Sequence, residues 1–167
     1  RPLCYSVPMN IREGAWLTVA YNMHGNEGLG ARVIQELGES PGIIPVDLHP
    51  AAAAAGKRSL GGAGELGGHF PADPTSDDPE ELAATLAQEH LRQAVKSFNG
   101  QPFGSIIADL HCTEAPDGHF AGTGELIWAE SLALARKLGR NILQWLPDYP
   151  FFGYFPNAIA IDATVRN

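Results

Sequence analysis

Apolar positions along the chain fall alternately into short continuous runs and helically spaced stripes. Trp16 to Tyr21 is an apolar run carrying Thr and Val. Leu29 to Leu37 then shows helical spacing, with Gly38 as its terminator. The order predicted is strand, loop, helix. Ile43 to Leu48 predicts a second strand, which Pro45 pushes toward a sheet edge because proline has no N–H to give to a ladder. From His49 to Asp78 the chain turns to Ala, Gly, Pro and Asp with no sustained period, which predicts a long loop. Loops of that length inside compact domains are often functional.

Asp78-Pro79-Glu80-Glu81 predicts a helix start: a capping side chain, a proline in the first turn, and acids at the positive end of the dipole. Leu82, Leu86, Leu91, Val95 and Phe98 supply a stripe expected to be buried, until Asn99 and Gly100 stop it. Ser105 to Leu110 predicts a strand and Glu125 to Leu138 a third helix, while Ala158 to Ala163 suits either a strand or a short helix. This alternation predicts an α/β fold with a largely parallel sheet. No internal repeat interrupts it, so residues 1–167 read as one folded unit.

Composition narrows the function classes. Apolar residues make up 44% and charged ones 18%, as in globular proteins. Nineteen acidic against eleven basic side chains leave a formal charge of -8, which disfavours nucleic acid and anionic lipid as partners. No run of eighteen apolar residues is present, so no membrane span is expected. Cys4 and Cys112 form no disulfide framework or Cys-x-x-Cys motif, which favours a reducing, cytoplasmic location. The chain opens at Arg1 rather than Met, the mark of a trimmed product whose natural ends stay open.

The chemistry concentrates at two expected strand ends. His24-Gly25-Asn26-Glu27 follows the first strand and places an imidazole and a carboxylate three residues apart on a tight loop. Asp109-Leu110-His111 ends another strand. If the two strands run parallel in one sheet, His111 emerges at the same carboxyl edge, where open α/β sheets collect their ligand sites. Two imidazoles and one carboxylate are a ligand set of catalytic zinc, whereas structural zinc prefers four protein ligands. A His-x-x-Glu pair by itself is equally at home as surface polar residues or a helix cap. The second, strand-terminal histidine is what favours a metal.

Other polar residues carry weaker signals. Glu114 and Glu125 are possible acid-base groups or plain solvated carboxylates, and His69 and His119 could touch a substrate from loops or stand idle. Cys112 beside His111 suggests a thiol nucleophile, but neighbours on an extended strand point to opposite faces, so a buried thiol is the better reading. Gly62-Ala63-Gly64-Glu65-Leu66-Gly67 matches the dinucleotide-binding string, yet it lacks the preceding strand and following helix which that motif needs.

His24-Gly25-Asn26-Glu27, a His49-Pro50 pair after the next strand, Arg58 beyond it, and Asp109-Leu110-His111-Cys112-Thr113 together resemble the aspartoacylase and succinylglutamate desuccinylase family. The resemblance implies a zinc carboxypeptidase-like fold, a three-layer sandwich with a mostly parallel mixed central sheet flanked by helices. It implies one Zn2+ per chain held by His24, Glu27 and His111, and Arg58 as the residue that binds substrate and polarises the scissile carbonyl. Gly30 matches the family's small residue after the Glu. His49 stands where the family usually has Asn, and the family's Asp-Leu-Asn-Arg is replaced by Glu65-Leu66-Gly67-Gly68. A bidentate guanidinium is the usual partner of an acidic substrate's carboxylate, so the family's substrates do not carry over.

The family's catalytic Glu lies on a late strand, and Asp162 in Ala160-Ile161-Asp162-Ala163 is the nearest match, one methylene shorter. Asp162 is then the general base; an alternative alignment places that carboxylate beyond Asn167. The expectation is a single catalytic domain, without the smaller β-rich domain that many relatives append. Its expected reaction is hydrolysis of an N-acyl amino acid or another small acylated amine, the alternatives being a metallocarboxypeptidase acting on peptides and a catalytically impaired zinc-binding domain.

Overall fold

Leu17–Tyr21 is apolar apart from Thr18 and the Tyr21 hydroxyl, is buried at its three central positions, and takes a place inside the sheet. Ile43–Asp47 instead alternates, with Ile44 and Val46 buried and Pro45 exposed, and lies at the edge, where a missing N–H costs no ladder bond. The computed structural model describes residues 17–62, 64–96, 106–113, 120–123, 129–137, 142–145 and 148–164. In chain order the elements are β1 (Leu17–Tyr21), α1 (Leu29–Leu37), β2 (Ile43–Asp47), α2 (Pro50–Ala54), a 3₁₀ turn (Leu66–His69), α3 (Pro79–Lys96) and β3 (Ile106–Thr113). β4 (Phe120–Thr123), α4 (Ala129–Lys137), β5 (Ile142–Trp145), α5 (Pro150–Tyr154) and β6 (Ala158–Thr164) follow.

The strands form one sheet in the order β2-β1-β3-β6-β4-β5. β2, β1, β3 and β6 are parallel neighbours, and the β4-β5 pair runs antiparallel to β6. The sheet is mixed and mostly parallel, as expected. Helices cover both faces: Ile107, Ala158 and Ala160 pack with Leu91, Phe151 and Phe155 from α3 and the α5 region, while Ile106, Ala108, Ile159 and Ile161 pack with Leu134 of α4. α1 lies against β1 and β3. No described helix is long and apolar enough to cross a membrane.

Several segments differ from expectation, and of the stripe expected to be buried along α3, Leu82 and Leu86 are exposed while Leu91 is buried. The stretch from His49 to Asp78 is not loop throughout, since α2 and the 3₁₀ turn lie within it. Alanine is the best helix former yet leaves no amphipathic period, and Pro50 occupies the first helical turn. β4, β5 and α5 are four or five residues long, too short for periodicity to reveal. β3 runs on through Thr113, so His111 lies within the strand rather than after it. The last apolar run is a strand. The expected stop of α3 near Asn99 and the expected helix start at Glu125 lie outside the described residues.

The loop is tied to the first turns of α3. Asp78 caps that helix by accepting the Glu80 N–H at 2.8 Å. Glu80 and His49 are fully buried together, with His49 Nε2 3.1 Å from Glu80 Oε1, and Glu80 also accepts the Leu60 N–H. Glu81 accepts from Asp73 N–H and pairs with His69 Nδ1 at 2.5 Å. These two adjacent acids hold both ends of the segment that carries Arg58 and Glu65.

Candidate metal centre

The site forms where β1 ends. Asn22 adopts φ 59°, a left-handed turn that asparagine tolerates, and its Nδ2 donates to Asp47 Oδ1 at the end of β2 at 3.1 Å. The turn sends His24 over the carboxyl edge of the sheet. Gly25 then passes so close to α2 that a Cβ would overlap the Ala52 carbonyl carbon and the Ala53 amide nitrogen and lie 2.6 Å from the Lys57 carbonyl oxygen. Its N–H donates to the Arg58 carbonyl at 3.2 Å, and Glu27 N–H closes the turn on His24 C=O at 3.0 Å.

β1 and β3 pair in parallel with Tyr21 opposite Leu110, so His111 is the first β3 residue beyond the last β1 residue. His24, Glu27 and His111 meet there, each offering a donor atom within 4.8 Å of the others. His24 Nδ1 lies 2.6 Å from Glu27 Oε1, and His111 Nδ1 lies 3.2 Å from Glu27 Oε2. The Cys112 N–H donates to Glu27 Oε2 at 3.1 Å, so Cys112 serves this carboxylate through its backbone. Among the described residues this is the one such group of His, Cys, Asp and Glu.

Each imidazole has a carboxylate on its far nitrogen. His111 Nε2 lies 2.7 Å from Asp109 Oδ2, because residues i and i+2 of a strand share a face. Asp109 is fully buried, and its Oδ1 has no partner among the described residues. His24 Nε2 is 3.1 Å from Glu65 Oε2 and 3.0 Å from Arg58 Nη2. It can donate to the first or accept from the second, but not both. With a cation on Nδ1, Nε2 carries the hydrogen and Glu65 is its acceptor, the arrangement that orients a metal-ligating imidazole.

Burial alone would raise the Glu27 carboxyl, but hydrogen bonds from His111 and His24 outweigh it and hold the group well below the usual carboxylate range. Burial would lower His111, yet the charge and hydrogen bond of Asp109, with Glu27 behind them, push it up to about 10. With the Asp109 carboxylate 2.7 Å from one ring nitrogen and the Glu27 carboxylate 3.2 Å from the other, His111 lies in a negative potential of the kind that favours a divalent cation. Two nitrogens and one carboxylate oxygen, with carboxylates behind both rings, fit zinc by donor chemistry.

Arg58 comes to the same place. Its Nε donates to Glu65 Oε1 at 2.5 Å and its Nη2 to Glu65 Oε2 at 3.2 Å, and Nη1 lies 3.6 Å from Glu27 Oε1. Asp162 stands in register with His111 on β6, and its side chain lies outside the described residues, as do Glu114, His119 and Glu125 entirely. His69 is taken up by Glu81. Sequence reasoning missed three groups: Asp109, Glu65 and Tyr149. Asp109 could have been found from its two-residue spacing to His111. Nothing local marks Glu65, whose partners are 7 and 41 residues away. Tyr149 immediately precedes α5, a helix too short to be read from periodicity; its hydroxyl would overlap a Cβ at Gly67.

No family model matches the sequence, and no curated protein matches it. Solved structures do. Succinylglutamate desuccinylase from Chromobacterium violaceum superposes with a TM-score of 0.66 at 18% identity, over 93% of this chain and 54% of that one. Murine aminoacylase 3 gives 0.60 at 21%, over 93% and 58%. The ectoine utilization protein from Ruegeria pomeroyi, solved with product bound, gives 0.63 at 17%, over 90% and 50%. The chain thus spans about half the length of these structures. The likeness establishes the fold, which is the one the sequence motifs led us to expect.

Proposed function

We propose that this chain is the catalytic core of a zinc-dependent hydrolase of the aspartoacylase and succinylglutamate desuccinylase family, cleaving the amide bond of an N-acyl amino acid or similar small acylated amine. The observation that carries the reading is the convergence of His24, Glu27 and His111 within 4.8 Å at one sheet edge. It gains support from a fold shared with proteins named desuccinylase and aminoacylase. The two widely separated cysteines suit a cytoplasmic setting.

In this reading His24, Glu27 and His111 would hold one Zn2+ through two imidazole nitrogens and one carboxylate. When bound, zinc supplies Lewis acidity toward the amide carbonyl and makes water easier to deprotonate near neutral pH. Asp109 and Glu65 fix the ring orientations by accepting from the far nitrogens. Arg58 turns its guanidinium to the carbonyl oxygen, where negative charge develops as the tetrahedral centre forms. Asp162 takes the proton from the attacking water and returns it to the leaving amine nitrogen, so that acid and amine are the products.

Zinc content by mass spectrometry, followed by hydrolysis of N-acyl amino acids and small peptides, tests the proposal. One zinc per chain and release of free amine are expected. Protein that binds no zinc at micromolar concentration would overturn it. Zinc binding with cleavage of peptides alone would identify a carboxypeptidase, and zinc binding without turnover an impaired relative.

A further inference from the structure

Arg58 has to act at one place from the surface of a loop. Its side chain is half exposed and turns about several bonds, so its reach is set by where its backbone is held. Two hydrogen bonds from outside the loop hold that backbone. Gly25 N–H donates to Arg58 C=O at 3.2 Å, and two residues further on Leu60 N–H donates to Glu80 Oε1. The first anchor is the ligand loop itself, and the second is the start of α3.

Glu80 is fixed from three sides. It lies in the first turn of α3, where the helix dipole favours a carboxylate, and its side chain is fully buried, as is that of His49. His49 Nε2 lies 3.1 Å and 3.2 Å from the two carboxylate oxygens. His49 Nδ1 is buried with no partner among the described residues, which leaves Nε2 as the donating atom. The His49 N–H in turn donates to Asp47 Oδ1 at 3.2 Å, the oxygen that also accepts from Asn22 at the turn leading to His24. One chain of contacts therefore runs from the turn that launches a metal ligand, through Asp47, His49 and Glu80, to the loop that carries Arg58. A buried carboxylate and imidazole gain little stability over apolar side chains of like volume. An apolar pair, however, cannot accept the Leu60 N–H.

Resting on the hydrolase reading above, we propose that His49 and Glu80 are positioning residues for amide cleavage: the buried pair fixes the Leu60 backbone and thereby aims Arg58 at the substrate carbonyl. The test is a double-mutant cycle on zinc-loaded protein, with the N-acetyl amino acid that the wild type cleaves fastest. Glu80→Ala is expected to lower kcat by about 10–100-fold, with zinc content unchanged and KM moving by less than about threefold. Glu80→Gln keeps an oxygen for the Leu60 N–H and should stay within about threefold of the wild type. In the Arg58→Ala background, Glu80→Ala should change kcat by less than about threefold, because the group it serves is gone. An equal fall in both backgrounds would overturn the inference.

His49→Leu combined with Glu80→Met separates positioning from folding, since it fills the same space and removes the acceptor. It should show the loss in kcat of Glu80→Ala, and wild-type turnover in it would overturn the inference. NMR of arginine-labelled protein gives a readout without turnover. The Arg58 Nε–H signal, identified by its loss in Arg58→Ala, should stand apart in the wild type because it donates to Glu65 at 2.5 Å. In the apolar double variant it should move to the position of solvated arginines, and an unmoved signal would overturn the inference. Wild type that cleaves no amide would overturn the hydrolase reading and the catalytic purpose of the pair, while the NMR signal would still decide whether the pair places Arg58.

Discussion

Gly25→Ala probes whether backbone packing against α2 holds the ligand loop. The added methyl group would press into the Ala52 carbonyl carbon and the Ala53 amide nitrogen and come 2.6 Å from the Lys57 carbonyl oxygen. All three are backbone atoms, so no side-chain rotation relieves the overlap. Either the loop or α2 must move. Overpacking of this kind costs about 1–3 kcal/mol. Separation of the two backbones also loses the Gly25 N–H bond to Arg58 C=O, about 1 kcal/mol more. At about 2–4 °C per kcal/mol for a chain of this size, melting should fall by roughly 5–15 °C. Because His24 and Glu27 flank the substituted residue, zinc affinity should fall together with stability, by about 10–100-fold if the effect resembles loss of an outer-shell support. Scanning calorimetry and zinc titration with a competing chelator measure the two quantities. Gly28→Ala is the internal control, since a Cβ there meets nothing within 4 Å and it should change melting by at most a degree or two. A Gly25→Ala protein that matched the wild type in melting temperature and zinc affinity would refute the packing account.

Saturating zinc at a hundredfold over its Kd should stabilise the protein by about 2.7 kcal/mol, raising melting by roughly 5–11 °C; His24→Ala and His111→Ala should abolish that increment, which thermal scans with zinc or chelator would read. Arg58→Ala should lower kcat by about 10²–10³ with zinc content unchanged, and an unaltered kcat would remove Arg58 from the reaction. Asp162→Ala should lower kcat by about 10²–10⁴ at unchanged zinc content, and full turnover in that variant would move the base elsewhere. Glu80→Ala leaves the Leu60 N–H and His49 Nε2 without their buried acceptor, so urea unfolding should report a loss of about 2–5 kcal/mol.

What sequence could reveal here depended on how locally each feature is encoded. β1, α1, β2 and α3 carry their own periodicity or caps, and Pro45 marked β2 as an edge. The ligand triad was legible because two of its members sit in one four-residue motif and the third follows a run of strand formers. The resemblance to a metal-hydrolase family then supplied a role for the trio. Glu65 was not legible because its function lies in distances of 2.5 and 3.1 Å to residues on other segments. Tyr149 was hidden for a different reason: it precedes a five-residue helix, which has too few positions to display a buried face and so to mark the segment. The His49–Glu80 and His69–Glu81 pairs show why the stretch before α3 looked structureless. Its order comes from two acids on the next helix rather than from any pattern of its own.

The position of His111 follows from the core as much as from its own chemistry. Along β3, Ile107 packs toward α3 while Ile106 and Ala108 pack toward α4, and all three are buried. The strand is therefore committed on both faces. A register slip of one residue would turn Ile107 and Asp109 toward α4, placing the Asp109 carboxylate among Ile159, Ile161 and Leu134 without a hydrogen-bonding partner, and would put Leu110 beside Glu27. The native register instead turns the face shared by Asp109 and His111 toward Glu27, with Asp109 2.7 Å from His111 Nε2 and Glu27 3.2 Å from its Nδ1. The hydrophobic alternation that fixes the sheet thus also decides that His111 faces the ligand cluster. Substitutions at Ile106 or Ile107 that loosen this register should weaken zinc binding without touching a ligand, which distinguishes a site built by the fold from one assembled by the metal.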